Sequence, residues 1–215
     1  MSSREQILNK LRQRSDESLP FPAVAAPAHY QPMIPIGDPT LNELKTRFVT
    51  EAEEAACVVH PAPTLDEAID EILNIIGNET SISSWDPTQI PLPGLAEALD
   101  KANIIRVGQD ADVRVGLSSV DAALAATGSL VVLSGEGRYR ATSLLPPIHI
   151  AVVSTDQIVP DLESWWTAQK RAGLEQTRRH SNMVVITGPS RTADIAMQLV
   201  MGMHGPKELH VILIG

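Results

Sequence analysis

The sequence predicts an α/β fold in which a mostly parallel sheet carries helices on both of its faces. Short apolar segments without polar alternation, such as 129–133 and 148–154, are typical of strands that are buried on both faces. Helical patterns separate most of these segments, as the crossover connections of a parallel sheet require. The chain has 215 residues, 43% of them hydrophobic, which is enough to bury the core of one such domain.

The composition of residues 1–39 differs from that of the rest of the chain. Residues 3–14 form a predicted amphipathic helix. Six prolines punctuate the segment 15–39 and exclude a regular helix or a central strand there, so this segment is interpreted as an extended arm. The predicted organisation is therefore an N-terminal helix and Pro-rich arm over 1–39, followed by an α/β domain over 40–215.

From residue 40 onward, helical and strand-like patterns alternate along the chain. Thr40 and Thr64 are predicted N-caps, and Gly77 marks a predicted helix end. The predicted helices span 40–56, 64–77, 94–102, 121–126, 160–172 and 192–201. The predicted strands span 57–60, 80–85, 104–107, 112–117, 129–133, 148–154, 183–186 and 209–214.

One strand-to-helix connection carries the strongest functional signal. The apolar residues 183–186 predict a strand, Gly188-Pro189 ends it, and a predicted helix follows. Ligands bind at the carboxyl ends of strands in open parallel sheets, and a helix N-terminus favours an anion. Arg191 adds a guanidinium that a bare turn does not need, although many such turns use Gly, Pro, Ser and Thr for geometry alone. The candidate contacts of a small anionic ligand are Gly188, Pro189, Ser190, Arg191, Thr192 and Asp194.

A second candidate region is the loop 134–140, which follows a predicted buried strand. Gly135 and Gly137 allow a ligand to approach the backbone closely. Arg140 or Arg138 has the donors to hold a carboxylate or phosphate bidentately, and Glu136 is a candidate acid or base. The alternative interpretation of this loop is a charged, solvated hairpin.

Three further positions offer polar groups next to predicted elements. Asp121 is a candidate acid or base, but the N-cap of the predicted helix 121–126 is the simpler explanation for it. Thr127 and Gly128 offer a hydroxyl and a flexible glycine to a ligand. His204 is a candidate ligand contact, or it complements the dipole of the helix predicted before it.

Composition and charge exclude several function classes. The net charge of −9 and the 3% of aromatic residues argue against nucleic acid as a partner. One cysteine, Cys57, excludes a cysteine-ligated iron–sulfur cluster or a Cys-rich zinc site built from this chain alone, and the histidines show no metal-binding spacing. Neither a signal peptide nor a membrane-spanning apolar stretch is predicted, so the expected location is the cytoplasm.

The C-terminal half resembles the LUD-domain family, of the lactate-utilization protein C type. The stretches that carry the resemblance are 126–131, 140–149, 188–195, 202–206 and 209–213. The resemblance implies an α/β fold similar to the superfamily of ribose-phosphate isomerase, glucosamine-phosphate deaminase and CoA transferases. It also implies a role in oxidising L-lactate to pyruvate together with two iron–sulfur partner proteins. The clusters are then expected in those partners, and no cofactor is expected in this chain.

The sequence departs from the pattern of this family at three positions. Ser119 stands where the family often has glycine, and Ala126 and Ala196 stand where it often has glutamate. The loss of two carboxylates weakens the case for independent acid–base catalysis. Two other functions stay open: an enzyme acting alone on a sugar phosphate or CoA ester, with Glu136 or Asp121 as acid or base and Arg191 holding the anion, and a scaffold that senses a metabolite.

Overall fold

The computed structural model describes residues 3–16, 39–108, 110, 112–193 and 199–215. The chain divides into two compact units, Met1–Gln31 and Pro32–Gly215. In the first unit, the predicted N-terminal helix is confirmed. The predicted arm lies for the most part outside the described residues, which resume at Pro39.

Helices and strands alternate along the second unit as predicted, with two exceptions. The helices of the chain are α1 (Ser3–Asp16), α2 (Leu41–Glu54), α3 (Leu65–Ile76), α4 (Leu95–Lys101), α5 (Leu162–Arg171) and α6 (Glu175–Arg179). The strands are β1 (Val58–Ala62), β2 (Ser81–Ser84), β3 (Ile105–Val107), β4 (Val115–Ser119), β5 (Ala122–Leu124), β6 (Ser129–Ser134), β7 (Ile148–Ser154), β8 (Ile158–Val159), β9 (Asn182–Ile186), β10 (Arg191–Ala193), β11 (Leu199–Met201) and β12 (Glu208–Ile214).

A six-stranded sheet with the order β1-β12-β7-β4-β2-β3 forms the centre of this unit, and every pairing in it is parallel. The connections β1–α3–β2 and β2–α4–β3 run in the same direction across the sheet. Because such crossovers are right-handed, α3 and α4 cover the same face. The predicted α/β class with a mostly parallel sheet is therefore confirmed.

The predicted caps explain where the first two helices of this unit begin. The Thr40 hydroxyl accepts a hydrogen bond from the Glu43 N–H, and the Glu43 carboxylate accepts one from the Thr40 N–H, which completes a capping box. Thr64 accepts from the Glu67 N–H in the same way at the start of α3. Gly77 ends α3 with a positive φ of 63°.

A second, four-stranded sheet with the order β8-β5-β6-β9 was not predicted. Its pairings β5–β6 and β6–β9 are antiparallel, and β5–β8 is parallel. The helix predicted over 121–126 is wrong, because Ala122–Leu124 is a fully buried strand of this sheet. Strand β5 is buried between Trp165 of α5 and the main core, and this burial overrides the helix propensity of its residues Ala122 and Ala123.

The helix predicted over 192–201 is also wrong. Arg191–Ala193 and Leu199–Met201 are antiparallel strands, paired from Arg191 with Met201 to Ala193 with Leu199. Thr192 and Val200 face each other in this hairpin, where β-branched residues are favoured. Asp194 lies outside the described residues.

Close backbone contact with α2 holds the second sheet in place. A Cβ added to Gly128, in the turn before β6, would lie 2.2 Å from the backbone nitrogen of Ala52. A Cβ added to Gly188, after β9, would lie 2.1 Å from the carbonyl oxygen of Ala55. Both glycines have positive φ, so their position requires glycine for conformation and for space.

We expect Gly128→Ala to destabilise the fold by about 2–4 kcal/mol, from the strained positive φ and from overpacking against α2. Gly173→Ala is the matched control, because Gly173 has a similar φ of 77° and nothing within 4 Å of an added Cβ. The control variant should lose only about 1 kcal/mol of its free energy of unfolding. Urea unfolding of both variants measures the difference, and equal losses would contradict the contact with α2.

Candidate functional site

The turn that follows β9 packs against the C-terminal end of α2. Arg191 Nη2 donates a hydrogen bond to the Ala55 carbonyl oxygen at 2.9 Å, while the side chain stays exposed. A cation at this end of a helix is favoured by the helix dipole. Since no helix begins at Arg191, the expected helix N-terminus for an anion is absent from the described residues of this turn.

The position of this turn relative to the central sheet also differs from the expectation. Cys57 directly precedes β1, and its sulfur accepts a hydrogen bond from the Gly188 N–H. Burial raises the pKa of the Cys57 thiol to about 11, although this hydrogen bond and the Arg191 charge both oppose the rise. The turn therefore lies at the amino-terminal edge of the parallel strands, opposite the edge where such sheets commonly bind ligands.

Ser190 joins this turn to the segment before β12. Its N–H donates to the Pro206 carbonyl at 2.8 Å, its carbonyl accepts from the Gly202 N–H at 2.8 Å, and its hydroxyl accepts from the His204 N–H at 3.3 Å. We call residues 188–191 and 202–206 the Ser190 junction. Two stretches that are separate in the sequence thus form one unit.

Thr127 and Gly128 reach the same region from the second sheet. The Thr127 hydroxyl lies 2.7 Å from that of Ser129, which lies 2.7 Å from that of Thr187. This chain of hydroxyls ends next to Gly188. Within the Ser190 junction and around it, Pro189 is buried, Thr192 is half-buried, and the His204 side chain is exposed.

The loop 134–140 lies at the other end of β6 and β9. Their register runs from Leu130 opposite Ile186 to Ser134 opposite Asn182, which separates the two ends by about 14 Å at the ~3.4 Å rise of a strand. Glu136 is therefore remote from Arg191, and a small substrate cannot contact both. This separation disfavours the interpretation in which these two residues act on one substrate.

The loop itself is a tight turn with exposed charges. Gly135 and Arg138 exchange backbone hydrogen bonds of 3.0 and 3.1 Å. Glu136 at the tip and Arg140 after the turn both have exposed side chains. This geometry matches the solvated hairpin that the sequence left open.

Asp121 has a structural role between the loop 134–140 and β6. Its Oδ2 accepts from the Leu133 N–H at 2.7 Å, and its Oδ1 accepts from Arg138 Nη1 at 2.7 Å. The Arg138 guanidinium also lies 4.9 Å from the centroid of the Trp85 ring and donates to Gln89. Asp121 precedes a strand, so its predicted role as a helix N-cap is wrong.

We expect Asp121→Asn to destabilise the protein by about 3 kcal/mol, because it leaves the charge of Arg138 unpaired in a site where the Asp121 side chain is only 7% exposed. Glu79→Gln is the matched control, since its ion pair with Arg114 is well exposed and should contribute at most about 1 kcal/mol. Thermal or urea unfolding gives both values. A loss for Asp121→Asn no larger than the control would show that the pair is not structurally important.

The sequence pattern does not single out His149 as a candidate site residue. His149 on β7 is fully buried, and its Nε2 lies 2.8 Å from the Ser118 hydroxyl on β4. Burial lowers the pKa of His149 to about 4, and its Nδ1 has no partner among the described residues. The imidazole is therefore neutral and inaccessible to a ligand from outside. The one signal for His149 in the sequence is its position within 140–149, a stretch that carries the family resemblance.

The described part of the chain contains neither a membrane span nor a metal-binding cluster. No helix among these residues is long and apolar enough to cross a membrane. No group of three or more His, Cys, Asp or Glu side chains among the described residues is arranged to hold a metal ion.

The fold defines an α/β protein in which a smaller, mostly antiparallel sheet is joined to a parallel one. The chain belongs to the LUD-domain family, whose sequence model matches residues 45–214. A crystal structure of a DUF162 family protein from Deinococcus radiodurans has the same fold, with a TM-score of 0.62 and 22% identity. The structural alignment covers 83% of this chain and 100% of the Deinococcus radiodurans chain.

Two similar proteins are each named lactate utilization protein C. The one from Exiguobacterium sp. is 34% identical over 64% of this chain and 59% of its own length. The one from Halalkalibacterium halodurans is 30% identical over 77% of this chain and 74% of its own length. The chain thus spans less than two thirds of the first relative and about three quarters of the second.

Proposed function

We propose that this protein acts in lactate utilization as a subunit that binds a small anion at the Ser190 junction, while iron–sulfur partner proteins carry the electrons. The similarity to proteins named lactate utilization protein C, together with membership of the LUD-domain family, carries the first part of this proposal. The anion proposed is a small carboxylate of the size of lactate or pyruvate.

The properties of the one cysteine support the assignment of clusters to partners. Thiolates, not thiols, ligate iron–sulfur clusters. Cys57 is 6% exposed, and burial raises the pKa of its thiol to about 11, so it is protonated at neutral pH. These 215 residues therefore offer no cysteine suited to a cluster.

The exposed guanidinium of Arg191 supports the place of the anion. Its contact with the Ala55 carbonyl uses one donor and orients the group, and a guanidinium has further N–H donors that match a carboxylate. The Ser190 hydroxyl and the exposed His204 belong to the same junction. The proposed anion would thus meet an oriented, solvent-facing cation rather than a helix N-terminus.

Deletion of the gene in its own organism should abolish growth on L-lactate and leave growth on glucose intact, and a plasmid copy should restore it. Affinity purification of the complementing protein should recover iron–sulfur proteins, detected by their visible absorption. Unimpaired growth on lactate would contradict the role in lactate utilization, and recovery of the protein without iron would contradict the partners.

Arg191→Ala should weaken binding of a small carboxylate by about 1.5–3 kcal/mol, the range for a hydrogen bond to a charged group. Arg140→Ala is the matched control, because it removes the same charge from an exposed site at the other end of β6. Isothermal titration calorimetry with L-lactate and pyruvate measures both variants. Equal affinities of Arg191→Ala and the unchanged protein would place the anion elsewhere.

A further inference from the structure

Four titratable side chains form a hydrogen-bonded line on the face of the central sheet that α3 covers. His60 on β1 lies beside His210 on β12, with His60 Nε2 and His210 Nδ1 2.9 Å apart. Glu71 of α3 lies 2.9 Å from His60 Nδ1, and Glu208 lies 3.3 Å from His210 Nε2. The order is therefore carboxylate, imidazole, imidazole, carboxylate.

The two carboxylates determine which ring nitrogens carry hydrogen. An ionised carboxylate only accepts hydrogen bonds, so Glu71 requires a hydrogen on His60 Nδ1 and Glu208 requires one on His210 Nε2. In two neutral imidazoles, the facing nitrogens would then both present lone pairs at 2.9 Å, which is repulsive. One additional proton between these nitrogens converts the repulsion into a charge-assisted hydrogen bond.

The arrangement accepts one proton but not two. A second proton would place two N–H groups head to head at the same 2.9 Å contact. Burial lowers the pKa of His60, and the charge of the neighbouring His210 lowers it further, while the Glu71 carboxylate opposes this shift. The two nitrogens of His60 point to different partners, so the four groups do not converge on a common point as metal ligands would.

We propose that His60 and His210 form a single proton-binding site, in which one shared proton joins β1 to β12 and, through Glu71, to α3. This site is separate from the Ser190 junction, and its ligand is the proton. The pair acts as one titrating unit rather than as two histidines.

The charged groups that face the pair favour this cation. From α3, Glu67, Asp70 and Glu71 line an open cleft of about 510 Å³ beside His60. From β12, Glu208 faces His210, and β1 contributes no further charged side chain. The His60 and His210 side chains are 21% and 13% exposed, so solvent can exchange protons with both.

The direct test is nitrogen-15 NMR of the imidazole rings in the full chain, titrated from pH 8.5 to 4.5 with a chelator present. The unchanged protein should show His60 and His210 shifting together at one midpoint, with the two rings taking up one proton in total. In His210→Gln, His60 should instead take up a whole proton of its own. His180→Gln is the matched control and should leave the shared titration unchanged, since His180 contacts the Gln176 carbonyl.

Glu208→Gln provides a test that leaves both imidazoles in place, because Glu208 is 59% exposed and its removal should not disturb folding. Loss of this carboxylate should lower the midpoint of the shared proton. Two independent single-proton curves in the unchanged protein would overturn the proposal. Stoichiometric Zn²⁺ binding in chelator-free buffer, with loss of both imidazole signals, would identify a metal site and would also overturn it.

Discussion

The contact between the last turn of α2 and two glycine turns of the second sheet is the constraint on which the rest of this structure depends. Gly128 packs against the backbone of Ala52 in α2, and Gly188 packs against the backbone of Ala55, which directly follows the helix. No side chain fits between these backbones, so the second sheet packs directly against the end of α2 at both turns. The Arg191 hydrogen bond to Ala55 reinforces the same contact.

The location of the candidate site follows from this contact. Because β9 ends at α2, the turn after it lies beside the amino ends of β1 and β12, where Ser190 bonds to the segment 202–206. The charged loop 134–140 lies at the opposite end of the same strands. Arg191 thus has a structural contact and an exposed guanidinium, and both features bear on what its replacement would do.

Most of the fold could be predicted from local pattern, and the errors have a common physical cause. Thr40 and Thr64 cap helices through their own side chains, so neighbouring residues suffice to predict those helix starts. Strand 122–124 and the hairpin that begins at Arg191 depend on tertiary pairing, which overrides local propensity there. The residues of the Ser190 junction stay a predicted ligand site, and neither their joining through Ser190 nor the burial of His149 is visible in residue spacing.

The most direct test of an anion site at the Ser190 junction is mapping of amide and arginine side-chain NMR shifts in the full chain during titration with L-lactate and with pyruvate. We expect the shifts to concentrate on Ser190, Arg191 and residues 202–206, with little change over 134–140. Shifts confined to the loop 134–140, or saturable binding that leaves the Ser190 junction unperturbed, would contradict this site.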